Sequence, residues 1–119
     1  MPQERPAVLF VRVTDVLDRS KAGRQAADEL RARFVEARQR REAITDAVEG
    51  ARFELDVARD IEGERARRRD QILQTARDAA EQIRKKRGAR MVLDAGALLA
   101  SADELDVTDE IIALLDKGR

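Results

Sequence analysis

The large apolar residues of this chain lie mostly at its two ends. Of the 30 Val, Ile, Leu, Phe and Met residues after Met1, seven fall within residues 8–17 and eleven within residues 91–115. The 73 residues from Asp18 to Arg90 hold only the remaining twelve. A hydrophobic core therefore requires the two ends to meet, and the polar middle must fold back on itself.

The middle of the chain favours helix. Residues 18–87 are rich in Ala, Arg, Glu, Gln and Asp, contain no Pro and have few β-branched residues. Their apolar positions recur at three- or four-residue spacings, as in Ile44, Val48, Ala51 and Leu55, which is a heptad pattern. One unbroken helix would be about 105 Å long and would hold the ends apart. We therefore expect an antiparallel helical hairpin, an arm over residues 23–87.

Two glycines compete for the tip of this hairpin. Gly50 lies near the midpoint between the apolar ends, and a turn there brings Val13 close to Met91. Gly63 is the rival turn, and it would make the two halves of the arm less equal. We favour a tip near Gly50.

A turn at Gly50 fixes which residues face each other along the hairpin. The numbers of facing residues should then add up to about 102–103. This register places Val48 opposite Leu55 in the apolar seam, and Arg41 opposite Glu62 as an ion pair. It leaves Phe53 off the seam, as an exposed apolar residue beside the tip.

The ends have the pattern of a small α+β body. Strands are predicted near residues 7–13, 90–94 and 97–100, where β-branched and apolar residues cluster. Thr14 with Asp15 is expected to cap a following helix, and Thr108 a C-terminal helix that ends at Gly118. The whole chain, 1–119, is predicted as one domain, with a body of residues 1–22 plus 88–119.

Three short strands make a weak core with open edges, which the association of several chains would complete. The body is therefore predicted to be an oligomerisation surface, and the arm projects from it. The residues assigned to this surface are Val8, Phe10, Val92, Leu93, Leu98, Ile111 and Leu114.

Composition argues against several classes of function. The chain contains no Cys and no His, which excludes disulfides, thiolate sites and imidazole chemistry. Its 24 basic and 24 acidic side chains give no indication of specific nucleic-acid binding. Asp94 and Asp106 could suggest a metal pair, but turn and capping roles account for both. We expect no cofactor and no metal, and an enzyme is the least favoured class.

Two segments resemble a known family. The C-terminal "VLDAGALLASADELDVTDEIIALLD" and the N-terminal "VLFVRVTDVLDRS", joined by a charged helical hairpin, are similar to the Skp/OmpH family of periplasmic chaperones. The resemblance implies a homotrimer whose arms surround a cavity that holds unfolded outer-membrane β-barrel proteins without ATP. It also implies a periplasmic location. The arms are shorter here than in the best-known members, and the chain is neutral where those members are basic.

Two basic runs are candidates for binding. In "RARRRD", Arg65, Arg67, Arg68 and Arg69 could bind an acidic client segment, nucleic acid or, weakly, the phosphate of an anionic lipid, and Phe53 could add an apolar contact. The simpler alternative is a solvated helix face. "RKKRGAR", residues 84–90, could bind anions or could simply be the basic end of a helix next to Gly88.

Two classes of function follow from these patterns. The first is an ATP-independent holdase chaperone. The second is a structural coiled-coil adaptor or stalk subunit without chaperone activity, which explains the arm but not the strand-rich ends.

Overall fold

The computed structural model describes residues 7–96 and 105–118. Along the chain lie β1 (Val8–Val11), α1 (Val13–Arg19), α2 (Lys21–Glu42), α3 (Ala47–Arg87), β2 (Met91–Asp94) and α4 (Thr108–Lys117). The predicted α+β fold with a long antiparallel helical hairpin is confirmed. The third predicted strand, near residues 97–100, and Leu98 within it lie outside the described residues.

The two strands form a parallel pair. Val8 lies opposite Met91, and Val11 lies opposite Asp94. The direction is parallel because α3, with 41 residues, is longer than α2, with 22, and continues along the body, so that β2 starts beside the start of β1. The expected meeting of Val13 with Met91 is wrong by five residues, since Val8 takes that place.

The core lies where the sheet, α1, α4 and the end of α3 meet. One face of β1 is buried there through Leu9 and Val11. The helices and the N-cap residue of α4 contribute the other fully or nearly buried side chains, which include Val16, Ala79, Ile83, Val107, Ile111, Ile112 and Leu115. The last third of α3 therefore belongs to the core as well as to the arm.

The turn of the hairpin lies at residues 43–46, and the expected tip at Gly50 is wrong. Asp46 is the N-cap of α3, because its carboxylate accepts hydrogen bonds from the backbone N–H of Val48 at 2.8 Å and of Glu49 at 3.1 Å. Gly50 is helical and buried, and the Arg41 side chain lies against it. Gly50 thus provides space for a side chain and makes no turn.

The shifted turn changes the register along the arm. The Arg41 guanidinium binds the Glu54 carboxylate at 2.8 Å, where Glu62 was expected. This pair has numbers that add up to 95, well below the expected sum. Val48 and Leu55, both assigned to the seam, are instead 70% and 68% exposed on the outer side of α3.

Replacing Gly50 with Ala tests this placement of the turn. A Cβ at residue 50 would lie 2.4 Å from Cζ of Arg41, but this is the movable end of a long side chain. Arg41 would then lose its 3.0 Å hydrogen bond to the Ile44 carbonyl, while alanine would favour the helix. We expect the free energy of unfolding to change by less than about 1 kcal/mol. A large decrease in the melting temperature would contradict this placement and favour a turn at Gly50.

The start of α4 is tied to the end of β1. The Asp106 carboxylate accepts hydrogen bonds from the backbone N–H of Thr108 at 2.9 Å and from its hydroxyl at 2.5 Å. The Thr108 hydroxyl in turn accepts one from the Arg12 N–H at 2.9 Å. Thr108 is therefore the first helical residue and not the cap, and its side chain joins two segments that are far apart in sequence.

The expected Thr14 cap is also wrong. α1 begins at Val13, one residue earlier, so Thr14 lies within its first turn. The N-cap position falls on Arg12, whose side chain makes no capping hydrogen bond. The physical reason is the continuous run from β1 into α1, which leaves no room for a separate capping residue.

Acid should weaken the contact between α4 and β1. Burial favours the neutral form of Asp106, but the two hydrogen bonds from Thr108 and the charge of Arg12 outweigh burial and hold its pKa below the usual 3.8. A lowered pKa stabilises the folded state above the unfolded-state value, and that stability is lost as the pH falls through the folded-state value. We expect Asp106→Asn to lower the melting temperature at neutral pH but not at strongly acidic pH. An equal decrease at both would contradict this assignment.

Candidate functional site

A groove, here called the basal groove, lies between α2 and α3 near the body. It encloses about 470 Å³. Its floor is apolar: Leu30 and Ile72 are buried there, next to Leu17 and Ala26. Phe34, at the side nearer the tip, is 47% exposed. An aromatic side chain with this much free surface is available to contact another molecule.

Arginines from both helices surround the basal groove. Arg31 comes from α2, and Arg65, Arg68 and Arg69 come from α3, while Asp18 is the one acidic residue that lines it in the described part of the chain. The sequence had placed Arg65, Arg68 and Arg69 among the candidate binding residues, and the fold brings these three to one groove. Arg67 does not line it and pairs with Glu64.

The arginines differ in their partners. Arg68 binds Glu64 at 3.2 Å and also binds Glu29 across the hairpin. The hydrogen bond between Arg68 and Glu64 raises the pKa of Arg68 and lowers the pKa of Glu64. Arg68 therefore holds α2 against α3. Within the described ranges, Arg69 makes no ion pair, and the Arg65–Glu62 pair at 3.3 Å is exposed on one helix.

The tip of the arm presents a different surface. Phe53, expected to be exposed, is half-buried and lines a smaller groove of about 230 Å³ between α2 and α3, next to Val57 and Ile61. The exposed apolar residues at the tip are Val48 and Leu55 on the outer side of α3. Phe53 and Leu55 have therefore exchanged the environments expected for them. The sequence signal that could have shown this was Asp46 followed by Glu49, a pair typical of a helix start, which places the turn before residue 47.

One face of the sheet is not covered by any of the residues that the structure describes. Val8 and Phe10 of β1 are half-buried on this side, and Met91 and Leu93 of β2 are exposed, Leu93 to 46%. Parallel strands are normally covered on both faces, so an apolar outward face is unusual. Of the other residues assigned to the oligomerisation surface, Ile111 is buried in the chain's own core, and Val92 and Leu114 pack against it.

The basic run at residues 84–90 ends α3. Gly88 has a φ of 68°, the left-handed conformation that commonly follows a helix, and Arg87 is the last helical residue. The predicted helix end next to Gly88 is confirmed. Arg84 binds Glu81, and Arg87 binds Glu110 of α4, so two of these cations have structural partners.

These features define a class of protein: a small α+β body that carries a long, charged helical hairpin with exposed apolar side chains. In the described part of the chain no helix is both long and apolar enough to cross a membrane. The same residues contain no cluster of acidic side chains suited to a metal ion. The features that stand out are therefore surfaces and grooves.

Comparison with known proteins identifies the family. The model of a family described as outer membrane protein (OmpH-like) matches residues 39–115. The chain belongs to the OmpH-like family, in agreement with the resemblance seen in its sequence. Comparison with curated protein sequences finds no match.

A solved structure has the same fold. It is a crystal structure of an OmpH-like protein from Caulobacter crescentus CB15, which carries the provisional name of an outer membrane chaperone. The TM-score is 0.68 at 15% sequence identity, and the match covers 99% of this chain and 88% of the other. At this identity the likeness concerns the fold.

Proposed function

We propose that this protein is an ATP-independent holdase chaperone that keeps unfolded outer-membrane proteins soluble in the periplasm. The observation that carries the proposal is the arm, where Phe34, Val35, Val48 and Leu55 are exposed on a highly charged hairpin. Membership of the OmpH-like family and the name of the Caulobacter protein support a chaperone role.

The arm suits many weak contacts better than one tight contact. Its exposed apolar residues are scattered among charged ones, so each contributes a small area of contact to an unfolded chain. Residues 31–88 carry 16 basic and 12 acidic side chains, a net charge of +4 that attracts acidic client segments. Electrostatic attraction of this kind weakens with added salt, whereas apolar contacts persist.

We also propose that the protein acts as a homotrimer, held together by the face of the sheet that the described residues leave uncovered. Burying Met91 and Leu93 against other copies would remove apolar surface from water and cover the parallel strands. Three arms on one body would then hold a client by avidity, because the binding of one arm raises the effective concentration of the others. Light scattering should give a mass near three times 13.4 kDa.

Shortening the arm should strongly reduce protection of the client without unfolding the body. The observed register makes Val35 and Ile61 suitable ends, because their numbers add up to a value between those of the Arg41–Glu54 and Glu29–Arg68 pairs. Deleting residues 36–60 and inserting a short glycine linker keeps the basal groove and the core. We expect the same oligomer by light scattering, but aggregation of an unfolded outer-membrane β-barrel protein during dilution from urea.

The full-length chain is the control in this assay. If the shortened protein protects the client equally well, the outer arm is not the functional element. If the full-length chain does not prevent aggregation at all, the holdase proposal is wrong, and the structural adaptor becomes the better interpretation. An adaptor would act only through a specific folded partner.

A further inference from the structure

We infer that the basal groove binds client segments in which apolar side chains lie next to aspartate or glutamate. The inference rests on the proposed holdase function and gives one part of the arm a defined preference. It assigns each chain its own binding groove, formed by the two helices of a single hairpin and the end of α1.

The floor of the groove accepts apolar side chains. Leu30 and Ile72 form a buried base, and Phe34 leaves nearly half of its surface free beside it. The volume of about 470 Å³ lies within the range of roughly 300–1,000 Å³ seen for small-molecule sites. It therefore fits a few side chains of an extended peptide, and covering Phe34 would stabilise the complex.

The rim of the groove provides cations that can exchange partners. Arg69 makes no ion pair among the described residues, and the pairs of Arg31 with Asp28 and of Arg65 with Glu62 are exposed and within one helix. Exposed pairs of this kind contribute little to stability, so these guanidinium groups can turn to a ligand carboxylate. Arg68 is different, because Glu29 and Glu64 already hold it across the hairpin.

The arrangement selects the chemistry of the bound segment. Arg31 on α2 and Arg65 and Arg69 on α3 place positive charge on both sides of an apolar floor. Guanidinium groups bind carboxylates through two parallel hydrogen bonds, which a lysine or serine side chain cannot accept. An extended peptide that puts leucine or phenylalanine on the floor and acidic residues at its sides matches both features.

The test uses the full-length chain and short synthetic peptides that carry a fluorescein label. In three peptides leucine alternates with glutamate, lysine or serine, and fluorescence anisotropy measures their binding. We expect the glutamate peptide to bind most tightly. The double variant Arg65→Glu/Arg69→Glu should weaken its binding by about tenfold or more and strengthen that of the lysine peptide. Phe34→Ala should weaken the binding of all three peptides.

The matched control is Arg52→Glu/Arg59→Glu. It makes the same change of charge on the same helix, at exposed positions outside the groove. We expect it to alter binding by less than about twofold at physiological salt. If both double variants weaken the binding of the glutamate peptide equally, the effect is a general electrostatic attraction to the arm, and the inference is overturned. Equal binding of the glutamate and lysine peptides to the unchanged protein would also overturn it.

Two further results separate this inference from other occupants and from the proposed function. Anionic phospholipid vesicles that bind through Arg65 and Arg69 while the glutamate peptide does not bind would overturn it in favour of a lipid. If the full-length chain protects an unfolded client but shows no preference among the peptides, the inferred preference of the basal groove is overturned. The holdase proposal then remains intact. Failure to protect any client would instead count against the holdase function.

Discussion

Gly23→Ala should lower the free energy of unfolding by about 3 kcal/mol, at the upper end of the usual cost of overpacking. A Cβ at residue 23 would lie 1.6 Å from the carbonyl oxygen of Leu17 and 3.1 Å from Oγ of Ser20. The obstructing atom is backbone and cannot move alone. Either α1 separates from α2, or Ser20 loses its capping hydrogen bond to the Gly23 N–H at 3.1 Å.

Gly63→Ala is the matched control. Gly63 lies in the interior of α3, and a Cβ there meets no atom within 4 Å. Alanine should therefore raise stability by up to about 1 kcal/mol through its better helix propensity. Thermal melts followed by far-UV circular dichroism should shift in opposite directions for the two variants. A shift in the same direction would mean that the close contact between α1 and α2 does not constrain the fold.

The largest expected effect belongs to Ile111→Asp. Ile111 is 1% exposed and lies in the core of the body. A carboxylate there would be buried without a partner, and the cost of several kcal/mol is comparable to the whole stability of a domain this small. We expect the loss of the cooperative thermal transition. Ile111→Val, which removes one methylene group, should cost only about 1 kcal/mol.

Leu93→Asp should separate association from folding. Leu93 is 46% exposed on the outward face of the sheet, so an aspartate there can remain in water within a single chain. We expect the helical circular dichroism of the chain to persist while light scattering gives the mass of a smaller species. If Leu93→Asp leaves the oligomer intact, the uncovered sheet face is not the interface, and the trimer proposal needs another surface.

The positions of apolar residues were sufficient to predict the general architecture. The gap between the apolar ends required a hairpin, and the helix-forming composition of residues 18–87 required that hairpin to be helical. The strands predicted near residues 7–13 and 90–94 were also correct, although each is shorter than predicted. These features depend on local propensity and on the need to bury apolar surface, both of which are visible along one chain.

The register of the arm could not be obtained in the same way. The apolar positions of α3 fit more than one hairpin, and Val48 and Leu55 have the correct spacing for a seam that they do not occupy. The capping of α3 by Asp46 and the space that Gly50 leaves for Arg41 decided where the turn lies. A shift of a few residues then exchanged the places of Phe53 and Leu55, which changed the candidate binding surface.

The basal groove shows the same division. Residue chemistry alone indicated that Arg65, Arg68 and Arg69 could attract an acidic partner. Only the packing of α2 on α3 placed them around Leu30, Ile72 and Phe34, and only the carboxylate of Glu29 across the hairpin distinguished Arg68 from its neighbours. The physical reason is that helical periodicity determines which residues share a face, whereas contacts distant in sequence determine which element covers that face.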